Sequence, residues 1–126
     1  KNAFNAYDDK LVPFREEAIL PGIQTVELFG HTPGHSGYLL GDEKESLLIW
    51  GDIVHFPHVQ VAQPDVTIAF DSDPVAAAAV RGRLLDRAAS DNLAVSGMHF
   101  NLPTTGKIVR DGSSFTLNYD LWSPVV

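Results

Sequence analysis

Three side chains that could bind a metal ion occupy similar places in the sequence. His35 closes a loop rich in Gly and Pro, Asp52 follows an apolar segment, and His99 follows another short apolar segment. Loops that leave a rigid sheet hold exposed side chains in fixed positions, and such positions often carry chemistry. Imidazole and carboxylate suit zinc, iron or manganese, which lower the pKa of bound water toward neutrality. These residues therefore predict a metal site with hydrolytic chemistry.

Each of these residues also has a structural explanation when it is considered alone. A histidine or aspartate at a strand end is more often a hydrogen-bonded structural residue than a ligand. His31 and Gly34 are expected to shape the loop that His35 closes, with His31 holding it through hydrogen bonds. His55 and Phe70 are candidate walls of a substrate pocket, although a surface or core role is open for both.

The elements that must position these residues can be predicted from hydrophobic periodicity and turn signals. Strands are expected at residues 23–28, 38–40, 46–50, 93–95, 107–109 and 115–119, with the strand at 46–50 buried on both faces. A helix is expected to begin at Asp73 and Pro74, with Asp71 shaping its start. Its predicted buried stripe is Val75, Ala78, Ala79, Gly82, Leu85 and Ala89, and its arginines form a solvated face. This order predicts a sheet covered by a helix.

Composition excludes several classes of protein. The 126 residues, 44% of them hydrophobic, are sufficient for one globular core. The net charge of -7 and the scattered basic residues disfavour nucleic acid as a partner. No segment has the apolar length of a membrane span, so no membrane partner is expected. With no cysteine, any metal must be bound by imidazole and carboxylate. The expectation is a soluble protein of undetermined compartment, cytoplasmic or periplasmic.

One segment carries a resemblance to a known family. The sequence His-Thr-Pro-Gly-His-Ser-Gly at 31–37, then Gly51-Asp52 and later His99, resembles the later motifs of the metallo-β-lactamase superfamily. Residues 51–54, 59–60, 64–67, 70–73 and 122–125 resemble more closely the branch that contains methyl parathion hydrolase and related lactonases. The resemblance implies an α/β fold, an αβ/βα sandwich of which this chain supplies one mainly antiparallel sheet and its covering helix.

The same resemblance implies a role for each candidate residue. His35 matches a ligand of a first metal ion, Asp52 matches a carboxylate that bridges two ions, and His99 matches a ligand of the second. Two divalent ions, with zinc the expected metal, would then activate a bridging hydroxide against an ester, lactone or organophosphate bond of a small-molecule substrate. Asp52 is accordingly the predicted catalytic residue as well as a ligand.

The sequence departs from the family pattern in one major respect. The His-x-His-x-Asp-His motif, which supplies most of the family's ligands, does not occur in these residues. We therefore expect residues 23–126 to be the C-terminal half of the fold, with residues 1–22 as a connector. We therefore also expect partial or no metal occupancy and no activity of the chain alone. The expected partner is either another copy, in a homo-oligomer, or a complementing N-terminal half.

Two alternatives remain open from the sequence. The chain could be a non-enzymatic association module whose exposed sheet face pairs with another copy or with a missing half. It could also hold a mononuclear site in which His35, Asp52 and His99 bind one ion as two histidines and one carboxylate.

Overall fold

A computed structural model describes residues 3–15, 18–42 and 45–121. Its centre is a seven-stranded sheet whose strands lie side by side in sequence order. The strands are β1 (Ala18–Leu20), β2 (Ile23–Glu27), β3 (Ser36–Gly41), β4 (Ser46–Ile49), β5 (Ala94–Ser96), β6 (Thr105–Asp111) and β7 (Ser114–Tyr119). The helices are α1 (Pro57–Gln60) and α2 (Pro74–Ser90), and two 3₁₀ turns span Ala3–Ala6 and Asp8–Lys10. The predicted fold class, a mainly antiparallel sheet with a covering helix, is confirmed.

One strand pair in this sheet is parallel. β4 and β5 run in the same direction, with Leu48 beside Val95, and the chain between them contains α1 and α2. Parallel neighbours require a long crossover, which a helix normally supplies. The remaining strand pairs are antiparallel. As a result, the carboxyl ends of β4 and β5 lie at the same edge of the sheet.

The hydrophobic core lies between one face of the sheet and α2. Leu48 and Trp50 are fully buried there, and they pack with Ala77, Leu84, Leu85 and Ala88 of the helix. On the opposite face, Tyr38 pairs with Ile49 and Leu40 with Leu47, and these four side chains are only half-buried. The prediction that the segment at 46–50 is buried on both faces was therefore wrong, because only one of its faces is covered within the described residues.

The helix begins where the sequence predicts, but it turns a different side to the core. The Asp73 carboxylate accepts a hydrogen bond from the Ala76 backbone at 3.0 Å, and Pro74 takes the first helical position. Val75, predicted as part of the buried stripe, is 81% exposed. Arg81, predicted to be solvated, is 0% exposed and lies on the core-facing side. The predicted stripe counted apolar residues only, so it could not include a buried arginine.

Two sequence predictions concern the ends of the chain. The connector predicted at 1–22 contains β1, which forms one edge of the sheet, and the boundary at residue 22 remains a prediction. The terminal segment 122–125, which contributed to the family resemblance, lies outside the described residues. Neither α1 nor α2 has the length and apolar character needed to cross a bilayer, and the described 3₁₀ turns lack them as well.

Neighbouring residues of β4 test which face of the sheet forms the core. We expect Leu48→Ala to lower the free energy of unfolding by about 2–5 kcal/mol, because it leaves a cavity beneath α2. Leu47→Ala removes the same atoms from the half-buried face and should cost about half as much or less. Urea denaturation of both variants measures the difference. Equal losses would mean that the second face is also a packed interior.

Candidate metal centre

The loop between β2 and β3 is tied to the start of α2. The Asp73 amide donates to the Gly30 carbonyl at 2.8 Å, and the Ser72 amide donates to the His31 carbonyl at 3.0 Å. Gly30 has a φ of +132°, and a Cβ there would lie 2.3 Å from the Ala77 backbone nitrogen. Only glycine fits so close to the helix backbone in that conformation. The loop is thus held in place where it carries His31 toward the edge of the sheet.

Asp52 is the centre of the candidate site. It follows β4, so its carboxylate lies at the same sheet edge as the segment after β5, which carries His99. The Asp52 Oδ1 atom is 3.4 Å from His99 Nε2, and its Oδ2 atom is 3.7 Å from His31 Nε2. The two oxygens of one carboxylate thus face two different imidazoles. The side chain of Asp52 is 39% exposed, so the space between these groups is open to solvent.

His35 contacts Asp52 through its backbone rather than its carboxylate. The Asp52 amide donates to His35 Nε2 at 2.9 Å, and His35 Nδ1 is buried with no hydrogen-bond partner among the described residues. Burial lowers the pKa of His35, and the nearby His31 lowers it further, against the opposite influence of Asp52 and Asp71. The imidazole of His35 is therefore neutral near pH 7, as its acceptor role at Nε2 requires.

Gly51 makes this contact possible. Its φ is +59°, and a Cβ at this position would lie 2.7 Å from His35 Cε1. The absence of a side chain lets the imidazole lie against the backbone immediately before Asp52. The turn after β4 and the histidine at the end of the Gly and Pro loop therefore hold each other in position.

A metal-capable group also includes His55. Asp52, His55 and His99 each offer one ligand atom, and these atoms lie within 4.8 Å of one another. His55 Nδ1 is 3.3 Å from the Asp52 carbonyl oxygen, and the rings of His55 and His99 have centroids 3.8 Å apart. Two imidazoles and one carboxylate without thiolate form a donor set that fits zinc, iron or manganese. The residues present therefore fit a divalent ion.

Gln60 and Arg81, two buried polar residues whose roles were not predicted from the sequence, support the rim of the site. The Gln60 side chain accepts hydrogen bonds from the His55 and Phe56 amides at 2.7 and 2.9 Å, and it donates to the Val66 carbonyl at 2.9 Å. Arg81 donates from Nε to the Ile53 carbonyl at 2.6 Å. No local pattern marks Gln60. Arg81 does stand four residues from both Ala77 and Leu85, and this spacing alone would have placed it on the core side.

The predicted site residues fall into separate groups. Asp52, His55, His99 and His31 meet at one rim, whereas His35 lies behind the Asp52 backbone. His31, expected to hold the loop through hydrogen bonds, pairs its Nδ1 atom with the buried Asp71 carboxylate at 3.1 Å.

Phe70 and Gly34, the remaining predicted site residues, are both exposed. Phe70 is 73% exposed with its ring centroid 6.0 Å from that of His55, and Gly34 lies exposed in its loop. The metal, pocket and loop roles of these residues remain predictions.

Comparison with solved structures finds the same fold in larger hydrolases. The hydrolase AbOPH of the beta lactamase superfamily matches with a TM-score of 0.88 and 26% identity, over 97% of this chain and 43% of that protein. AidC, a dizinc quorum-quenching lactonase in complex with the product N-hexanoyl-L-homoserine, matches with a TM-score of 0.87 and 21% identity, over 95% of this chain and 41% of that protein.

A third match is a probable metal-dependent hydrolase from Staphylococcus aureus, with a TM-score of 0.73 and 22% identity, over 94% of this chain and 43% of that protein. The chain thus spans less than half the length of each of these three proteins. No protein-family model matches the sequence, and the search of curated proteins found no match.

The contact between Gly51 and His35 can be isolated with a matched pair of variants. Gly112 has the same φ of +59° as Gly51, but a Cβ there would meet nothing within 4 Å. Gly112→Ala should therefore lower the free energy of unfolding by about 1–2 kcal/mol, the cost of placing a non-glycine residue at this positive φ. Gly51→Ala should lower the free energy of unfolding by this amount and by about 1–3 kcal/mol more, because the new methyl group displaces the His35 ring.

Urea denaturation gives both losses, and the ring signals of His35 in NMR spectra report the displacement directly. Equal losses with unmoved His35 signals would show that the contact contributes nothing to the turn.

Proposed function

We propose, from the fold that this chain shares with metallo-β-lactamase superfamily hydrolases, that it is the C-terminal, ligand-bearing part of a metal-dependent hydrolase. Its substrate would carry an ester, lactone or organophosphate bond. The observation that carries this proposal is the Asp52 carboxylate, whose two oxygens face His99 and His31 separately. A carboxylate placed in this way can serve two ions at once.

The spacing of these atoms supports the proposal. Ligand atoms held tetrahedrally about 2.0–2.2 Å from a zinc ion lie about 3.3–3.6 Å from one another. The distances from Asp52 to His99 and to His31, 3.4 and 3.7 Å, are close to that spacing. Ordinary hydrogen bonds between a nitrogen and an oxygen are shorter, commonly near 2.9 Å. The gaps are therefore wider than direct hydrogen bonding needs and similar to those around an ion.

We propose that His31, and not His35, is the histidine that joins Asp52 at the first ion. The Nε2 atom of His31 faces the carboxylate, whereas the Nε2 atom of His35 already accepts the Asp52 amide. A nitrogen that accepts a hydrogen bond has no lone pair left for a metal. In this proposal His35 is a positioning residue that orients the turn carrying Asp52.

The remaining residues have supporting roles in the proposed site. Asp52 and His99 would hold the second ion, with His55 either completing it or lining the substrate pocket beside Phe70. A divalent ion bound here, with zinc the first expectation, polarises a carbonyl or phosphoryl oxygen and supplies a nucleophile from water near neutral pH. Gln60 holds the backbone of His55, so it would keep that imidazole at the rim.

The chain by itself is proposed to be inactive. Within residues 3–15, 18–42 and 45–121, one carboxylate and three histidines converge on the rim, too few to surround two ions that share the carboxylate. AidC contains two zinc ions, yet this chain covers only 41% of its length. The other ligands would come from an N-terminal half, and that half would also complete the substrate pocket.

The half-buried sheet face favours a second candidate function, association. Tyr38, Leu40, Leu47 and Ile49 form an apolar patch on the face away from α2, which another layer could cover. A second copy of this chain or a complementing half would bury it. A mononuclear site is also possible from the geometry, but with His55 in the place expected for His35.

Metal binding tests the leading proposal directly. Titration of the chain with zinc or cobalt, followed by calorimetry, should detect weak binding of at most about one ion per chain, since too few ligands are present. His99→Ala and His31→Ala should each weaken this binding, because the two imidazoles face different oxygens of Asp52, and His35→Ala should weaken it less. His58→Ala is the matched control, because His58 is exposed and outside the metal-capable group, and its affinity should stay within about twofold.

The same preparations should not hydrolyse an N-acyl homoserine lactone or an organophosphate ester above the rate of zinc in buffer. Tight binding of two ions or measurable turnover by the isolated chain would contradict the proposed incompleteness. Binding that survives His99→Ala unchanged would contradict the proposed site itself.

The association candidate makes a separate prediction. Light scattering should show the wild-type chain as a dimer or larger species, because the apolar patch around Leu47 is open to a partner. Leu47→Lys should shift the protein to monomer, whereas Val12→Lys, at another exposed apolar position, should leave the mass unchanged. A monomeric wild-type chain at all accessible concentrations would exclude self-association.

A further inference from the structure

We propose that the buried pair of Arg81 and Asp71 fixes the tautomer of His31, with the proton on Nδ1 and the lone pair of Nε2 directed at the Asp52 side of the rim. Asp71 and Arg81 would then be positioning residues. The inference rests on the proposed function only in treating that lone pair as a metal ligand. The tautomer itself is a property of the chain without any ion.

The contact between His31 and Asp71 sets the direction of the hydrogen bond. His31 Nδ1 lies 3.1 Å from Asp71 Oδ1, and the Asp71 side chain is fully buried. An ionised carboxylate can only accept hydrogen bonds, so the proton between the two atoms belongs to His31 Nδ1. In a neutral imidazole the other nitrogen then carries the lone pair. That nitrogen is Nε2, which faces Asp52.

Arg81 places a positive charge beside the buried Asp71 carboxylate. The Arg81 Nη2 atom is 3.5 Å from Asp71 Oδ2, and neither side chain is exposed. A buried carboxylate without a partner would be costly to charge, whereas a guanidinium beside it offsets much of that cost. The Ile68 amide donates to the same Oδ2 atom at 3.2 Å. Asp71 Oδ1 is therefore left to accept from His31.

Arg81 also holds the backbone on both sides of the site. Its Nη1 atom donates to the Pro64 and Val66 carbonyls at 2.7 and 2.8 Å, and its Nε atom donates to the Ile53 carbonyl beside Asp52. One side chain of α2 therefore positions Asp52 through the backbone and His31 through Asp71. An arginine with a structural role alone would need only the backbone contacts. The carboxylate between Arg81 and His31 also sets which nitrogen of the His31 imidazole carries the proton.

Long-range ¹H–¹⁵N NMR spectra of the metal-free wild-type chain at about pH 8, where an ordinary histidine is neutral, test the inference directly. They distinguish a protonated from an unprotonated ring nitrogen. We expect His31 to show a protonated Nδ1 and an unprotonated Nε2. A protonated Nε2, in the other tautomer or in the imidazolium, would overturn the inference without the need for any variant.

Asp71→Asn provides the second arm, because an amide of the same shape can donate to Nδ1 as well as accept from it. The Nε2-protonated form of His31 should then become populated, and cobalt affinity should fall about 10–100-fold. Asp73→Asn is the matched control, since Asn caps a helix as well as Asp does, and it should leave both readouts unchanged. An unchanged tautomer in a folded Asp71→Asn chain would overturn the inference.

His99→Ala separates this inference from the proposed function. It should weaken metal binding and leave the His31 tautomer as in the wild type, because His99 faces Asp52 Oδ1 whereas the Nδ1 atom of His31 faces Asp71. If the wild-type chain binds no metal but shows the expected tautomer, the metal site fails and the positioning pair stands. If metal binds while His31 carries its proton on Nε2, the proposed metal site stands and the positioning role of Asp71 and Arg81 fails.

Discussion

A buried guanidinium is the constraint on which the site depends. Removing the Arg81 charge from water is costly unless polar partners surround it. The chain supplies three carbonyl oxygens as hydrogen-bond acceptors and the Asp71 carboxylate as an ion-pair partner. These partners come from the segment between β4 and α2, in which α1 is the only regular element among the described residues. The segment is therefore ordered around a helix side chain, and the residues at its two ends, Asp52 and Asp71, are brought toward each other.

The sheet sets the position of the candidate site, and the loops set its chemistry. Because β4 and β5 are parallel, the segments that follow them leave the sheet at the same edge, which is where ligands commonly bind in parallel sheets. Asp52 and His99 meet there for that reason. The loop of His31 and His35 reaches the same edge because β3 is the antiparallel neighbour of β4 and begins where β4 ends. His35 then orients the turn that carries Asp52, because its imidazole lies against Gly51 and accepts the Asp52 amide.

The sheet has one face covered by α2 and one face that is only half-buried. The core beneath α2 contains Leu48, Trp50 and Val95, all fully buried, so this side needs no partner. The other side presents half-buried Tyr38, Leu40, Leu47 and Ile49. The solved hydrolases that share the fold are more than twice as long. In the proposed larger hydrolase, one additional layer would cover both the open rim around Asp52 and the half-buried sheet face.

The sequence by itself determined the features that depend on neighbouring residues. Asp73 and Pro74 mark the start of α2, and Asp111 with Gly112 marks the hairpin between β6 and β7, because capping and turn conformations are local. The types of residue available for a metal site were also evident, since no cysteine competes with His99 and Asp52. Only the tertiary structure decided which nitrogen faces which oxygen. His31 and His35 lie four residues apart in one loop, and their roles separate only when α2 and the Asp52 turn pack against that loop. Arg81 was misplaced because the predicted stripe counted apolar residues only, although its helical spacing puts it on the core side. Its polar partners lie 10 to 28 residues away along the chain, and only the tertiary structure decided them because no local pattern links residues so far apart.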